Sequence, residues 1–104
     1  MDRKEDYRER LEAQLKEWKA KIDRLEARTS LVSAEVRAEL MRAIEELRRK
    51  KMVVKERLNE LEKTGGELWD TLKEGVEKAA DELKHALDKA VSRFKLRVHQ
   101  YAPM

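Results

Sequence analysis

The chain has 104 residues, and its 25 basic and 22 acidic side chains leave a formal net charge of only +3. Charged residues make up 45% and aromatic residues 5%, a composition typical of long helices and coiled coils rather than compact enzymes. There is no cysteine, which excludes disulfides, thiol chemistry and the usual structural zinc sites.

No apolar run has the length of a membrane span, and the first residues lack the apolar core of a signal peptide. We therefore expect a soluble, cytoplasmic protein. Its length allows a single domain, which we place at residues 1–101, followed by a frayed tail at 102–104.

A heptad pattern of apolar residues runs through the first part of the chain. From Leu11 to Val36 the apolar steps alternate between four and three residues, one eleven-residue unit follows, and heptads continue from Leu47. This pattern predicts one helix over about residues 3–63, with an apolar seam along one face. Thr29 and Lys51 are polar members of the seam, a kind of residue that weakens packing while fixing register.

The sequence Thr-Ser-Leu-Val-Ser at residues 29–33 is the one place where this helix could end. Its residues are mediocre helix formers, and Ser30 or Ser33 could cap a new helix. However, the stretch contains no Gly, Pro or Asn, and the seam passes through it in phase. We favour the uninterrupted helix, and the alternative is a three-helix bundle with a break at residues 29–33.

The sequence Thr64-Gly65-Gly66-Glu67 separates two helical patterns and predicts a tight turn. Glycine can adopt the left-handed backbone that ends many helices. Thr64, with Glu67 three residues later, matches the capping box that starts a helix. We therefore expect the chain to reverse at residues 64–66.

Three eleven-residue repeats follow the turn, at residues 67–77, 78–88 and 89–99. Their apolar steps of four, four and three correspond to 3.67 residues per turn, which predicts a nearly straight helix over about residues 67–100. The expected fold is therefore all-α, a long helical hairpin or coiled coil.

In such a hairpin the shorter second helix covers only about residues 29–63 of the first. The remaining arm would expose an apolar stripe, which is unfavourable unless another surface covers it. We therefore predict an antiparallel homodimer through this stripe, unless a break at residues 29–33 folds it into the chain's own core. The predicted self-association residues are Tyr7, Leu11, Leu15, Trp18, Ile22 and Leu25.

The eleven-residue repeats also resemble those of lipid-binding apolipoproteins, in which lysines border the apolar face. Lys73, Lys84 and Lys95 occupy that border here, and Trp69 and Phe94 could insert beside them. Alanines in the middle of the face favour helix packing instead. The face that would contact an anionic membrane consists of Leu68, Trp69, Leu72, Val76, Leu83, Leu87, Val91, Phe94 and Val98.

Other candidate sites give weaker indications. The basic residues 48–51, with Lys55 and Arg57, could contact phosphates, but nearby glutamates favour a solvated helix face, and we do not expect nucleic acid as a partner. Glu82 and His85 have a metal-ligand spacing, but only one copy exists and both fall on the polar side. We expect no enzyme activity, metal, cofactor or small-molecule substrate.

Two segments, at residues 15–23 and 66–95, resemble the signatures of a group of short bacterial coiled-coil proteins, one cyanobacterial branch of which is a stress-response family. The sequence departs from the group at Ala80 and in the tail after residue 95. The resemblance implies a continuous first helix and a role in stress, and it offers no active site. The matching residues in the second segment include Trp69, Leu72, Lys73, Glu74, Gly75, Val76, Ala86, Leu87, Ser92, Arg93, Phe94 and Lys95.

The apolar patterns predict a non-enzymatic coiled-coil interaction protein that self-associates, and the resemblance implies a role in a stress response. Peripheral binding to a membrane surface through the repeats at residues 67–99 is the alternative function.

Overall fold

The computed structural model describes the backbone of residues 3–101 and the side chains of residues 3–94, and its regular structure is entirely helical. Helix α1 spans Arg3–Ala27, α2 spans Ala34–Glu62 and α3 spans Trp69–Tyr101. Short 3-10 helices at Arg28–Leu31 and Gly66–Leu68 lie in the two connections. The all-α class is confirmed, and the predicted tail at 102–104 lies outside the described residues.

The first helix is not continuous over residues 3–63, because α1 ends at Ala27. The hydroxyl of Thr29 donates to the carbonyl oxygen of Glu26 at 2.7 Å, so it competes for the backbone groups that would extend the helix. Ser33 then starts α2: its backbone is extended, and its hydroxyl oxygen accepts the N–H of Val36 at 3.3 Å. The chain therefore has the break at residues 29–33 that the three-helix alternative required.

Arg37 holds the reversal between α1 and α2 in place. Its Nε donates to the carbonyl oxygen of Thr29 at 2.8 Å, and its Nη2 donates to that of Val32 at 3.4 Å. Folding back sacrifices a few helical hydrogen bonds, each worth about 1 kcal/mol net, while it buries side chains such as Ile22 and Leu25, each worth about 1.5–3 kcal/mol. Apolar burial therefore outweighs helix continuity.

The second connection lies where the sequence predicts it, but its geometry differs from the prediction. Gly65 is extended, with φ −77° and ψ 172°, and no described glycine has a positive φ. The Thr64 hydroxyl donates backwards to the carbonyl oxygen of Glu60 at 2.9 Å, so it does not cap the next helix, and the predicted capping box with Glu67 is wrong. A 3-10 turn at Gly66–Leu68 leads into α3 instead.

Helices α2 and α3 form the expected hairpin, and α1 packs against both as a third helix. The bundle is elongated, with extents of 57 × 23 × 16 Å. Apolar faces of all three helices meet in one core, in which the described residues include no buried polar side chain. The largest fully buried side chains are Phe94, Ile22, Leu25, Leu40, Leu47, Leu61, Leu83, Leu87, Val54 and Val76.

Candidate functional site

The stripe predicted to bind a second molecule lies in the chain's own core. Because α1 folds back onto α2 and α3, this stripe already has an intramolecular partner. The premise of the predicted dimer, an arm without a partner, is therefore wrong, and self-association itself stays a prediction. Leu11, Trp18, Ile22 and Leu25 are buried, and Tyr7 and Leu15 are half-buried and packed against the core.

Most of the predicted lipid face also packs inside the bundle. Val76, Leu83, Leu87 and Phe94 are buried, whereas Trp69, Leu72 and Val91 are half-buried. Leu68, at the start of the face, is 60% exposed, and the side chain of Val98 lies outside the described residues. Among the described residues of this face, the closed bundle therefore presents mainly its first part to the solvent. No helix in the described part of the chain is long and apolar enough to cross a membrane.

Four side chains from α1 and from the start of α3 meet at one end of the bundle, and the exposed Leu68 directly precedes α3 there. We call these five residues the end surface: Lys4, Tyr7, Leu68, Trp69 and Lys73. The rings of Tyr7 and Trp69 meet edge to face, with centroids 5.9 Å apart and planes at 76°. The Nζ of Lys4 lies 5.3 Å from the centroid of Trp69, and the Nζ of Lys73 lies 5.1 Å from that of Tyr7. Each ring therefore carries a cation within the distance of a cation–π interaction.

Polar contacts between α1 and the second connection position this end surface. The Nζ of Lys4 donates to the carbonyl oxygen of Thr64 at 3.5 Å. The Nε of Arg8 lies 3.5 Å from the carboxylate of Glu62. Both contacts join residues far apart in sequence, so the end surface exists only because α1 folds back.

An open cavity of about 700 Å³ lies beside the two rings. Burial, and secondarily the negative charge of Glu77, raises the pKa of Tyr7 to about 12, so its phenol is neutral at ordinary pH. Cations outnumber carboxylates around the cavity, which gives it an aromatic wall and a cationic rim. Its charged lining residues are Arg3, Lys4, Arg10, Lys73, Asp6 and Asp70.

The fold divides the basic cluster that begins at Arg48 into two groups, one with acidic partners and one that lines a groove. Arg48 donates to both carboxylate oxygens of Glu26, at 2.8 and 3.3 Å, and this hydrogen bond lowers the pKa of Glu26. Arg49 donates to Glu46 at 3.0 Å, and the Nζ of Lys50 lies 3.8 Å from the same carboxylate. All three cations form ion pairs at the helix surface, and the pair of Arg48 with Glu26 bridges α1 to α2, whereas the pairs with Glu46 lie within α2.

The remaining lysines of the cluster face α1 instead. Lys51 and Lys55 of α2 join Lys16 and Lys19 of α1 around an open groove of about 550 Å³, which we call the lysine groove. Sequence analysis missed this grouping, since it depends on the pairing of α1 with α2. The one signal for it was a lysine at an apolar seam position, residue 51.

The two residues of α3 that have a metal-ligand spacing do not belong to a larger cluster of possible ligands among the described residues. Glu82 and His85 are both exposed. Within the described residues, no three His, Cys, Asp or Glu side chains lie close enough to hold a metal ion together.

Comparison with known proteins gives no match: no family model, curated protein or solved structure matches this chain.

Proposed function

We propose that this chain is a non-enzymatic interaction protein, and that its end surface contacts an anionic membrane surface. The observation that supports this proposal is an exposed Leu68 beside a half-buried Trp69, with the ammonium groups of Lys4 and Lys73 on the aromatic pair. Indole rings prefer the boundary between lipid and water, because they combine an apolar body with a polar N–H. Each lysine close to an anionic leaflet contributes about 1 kcal/mol to the free energy of membrane binding.

Contact through the closed bundle requires less free energy than opening the hairpin. Phe94 is only 1% exposed, so inserting it would also expose the core of α2. Each leucine or valine uncovered in that way would lose about 1.5–3 kcal/mol of burial. The end surface already offers Leu68 and Trp69 to the solvent, so the bundle can bind without unfolding. With so few apolar groups, binding is weak, reversible and sensitive to salt.

The test is flotation of the purified protein with neutral vesicles and with vesicles containing an anionic phospholipid, at low and physiological salt. We expect binding to the anionic vesicles, weakened about tenfold or more by Leu68→Ser because the inserted side chain is lost. Leu31→Ser is the matched control: Leu31 is 73% exposed and lies in the connection at the opposite end of the bundle.

Failure of the protein to float, or equal losses from Leu68→Ser and Leu31→Ser, would contradict this assignment. Near-ultraviolet circular dichroism of the bound protein distinguishes closed from opened bundles, because opening removes the fixed packing of Trp18 in the core. A lost signal would assign lipid contact to the whole repeat region, residues 67–99.

Self-association is the second part of the proposal, and it cannot use the heptad seam, which is buried in the chain's own core. In a closed bundle it would use outward side chains, and Met41 and Met52, 55% and 63% exposed, lie three turns apart on one face of α2. A native mass of one chain at high protein concentration would rule it out. The stress role rests on the resemblance alone.

A further inference from the structure

The lysine groove collects positive charge from two helices at one place. Lys16 and Lys19 contribute from α1, and Lys51 and Lys55 contribute from α2. No described residue of α3 lines the groove, and it shares no residue with the end surface. It is therefore an independent feature of the fold.

Three of the four lysines lack a carboxylate partner. Lys19 lies 3.0 Å from Asp23, but Lys16, Lys51 and Lys55 have no carboxylate within 4 Å among the described residues. This differs from the first three cations of the basic cluster, Arg48, Arg49 and Lys50, each of which has an acidic partner. The unpaired charges all face one groove.

Lys51 is the most informative member, because it occupies an apolar seam position. Its seam neighbours Leu47 and Val54 are buried, whereas Lys51 is half-buried and lines the groove together with Lys19 and Lys55. Burial, followed by the charges of these two lysines, lowers the pKa of Lys51, and the nearby carboxylate of Asp23 offsets only part of that effect. The lysine therefore weakens the bundle where a leucine would stabilise it, and a bound anion would remove the repulsion.

We propose that the lysine groove binds a small, multiply charged phosphate, of which inorganic triphosphate is the simplest example. Its volume, about 550 Å³, lies in the range of small-ligand sites. Lysine ammoniums bind phosphate as point charges, so convergence of several from two helices suits a compact polyanion. Glu9 and Glu12 also line the groove, from the part of α1 nearer its start, and their carboxylates would repel an extended chain of phosphates.

The test is calorimetric titration of the full chain with inorganic triphosphate at fixed low ionic strength. We expect triphosphate to bind, and orthophosphate to bind much more weakly. Lys51→Met and Lys16→Met each weaken binding about tenfold, since each removes a charged hydrogen bond. Lys50→Met is the matched control: it makes the same charge change at the neighbouring residue, whose partner is Glu46, and its effect stays below about twofold.

Three results would overturn the proposal. The first is absence of binding to the unmodified chain, and the second is equal weakening by Lys50→Met and Lys51→Met, which would indicate net charge alone. The third is tight binding of duplex DNA that triphosphate does not displace, which would make the groove part of a nucleic-acid surface. Because Lys16 is exposed, its substitution leaves the core intact and keeps the test valid if Lys51→Met changes the packing.

Discussion

Replacing Ile22 with alanine tests whether the stripe on α1 belongs to the chain's own core. The side chain is 1% exposed. Ile22→Ala deletes three carbon atoms, worth about 0.8 kcal/mol each on transfer from water, and leaves a cavity as well, so we expect a loss of roughly 2–5 kcal/mol. The total free energy of unfolding of a domain of this size is about 5–15 kcal/mol. The melting temperature should fall by at least about 10 °C.

The assay is urea unfolding followed by circular dichroism, at two protein concentrations a hundredfold apart. For a closed monomer, the midpoint falls in the variant and does not depend on concentration in either protein. Gln14→Ala, at an exposed position of the same helix, changes stability by less than about 0.5 kcal/mol. If Ile22→Ala does not fold, Ile22→Val should cost about 0.5–1.5 kcal/mol.

A midpoint that rises with protein concentration, together with a native mass that Ile22→Ala reduces to one chain, would refute this reasoning. The stripe would then be held by a second molecule, as the heptad pattern predicts.

Three further predictions follow from the two connections and the end surface. Gly65→Ala and Gly66→Ala should each stabilise the fold by about 0.4–1 kcal/mol, since neither glycine has a positive φ and an added Cβ meets no atom within 4 Å; destabilisation in thermal melts would indicate a left-handed turn. Ser33→Ala should cost about 1 kcal/mol by removing the cap on Val36, whereas an unchanged melt would favour a continuous helix. The raised pKa of Tyr7 means that its contribution to stability is complete below pH 10 and is lost as the pH rises through about 12. Tyr7→Phe should therefore lose less stability than the unmodified chain over that interval, and identical losses would contradict the assignment.

Periodicity in the sequence was sufficient to predict the fold class and the position of the hairpin. Apolar steps of four and three residues identify which side of each helix is buried, whatever covers that side. For this reason Ile22, Leu83 and Phe94 were correctly assigned to apolar stripes, although the partner of the stripe that contains Ile22 was not. Two adjacent glycines likewise predicted where α2 ends, but not the dihedral angles by which it ends.

The sequence by itself determined the all-α class, the apolar face of each helical segment and the turn at residues 64–66. Only the tertiary structure decided that α1 folds back, because a seam in correct phase is compatible with a straight helix or with two packed ones. That choice depends on long-range burial, which no local pattern contains. It also brings Tyr7 to Trp69 and Lys16 to Lys51, so both candidate surfaces arise from the folding back of α1.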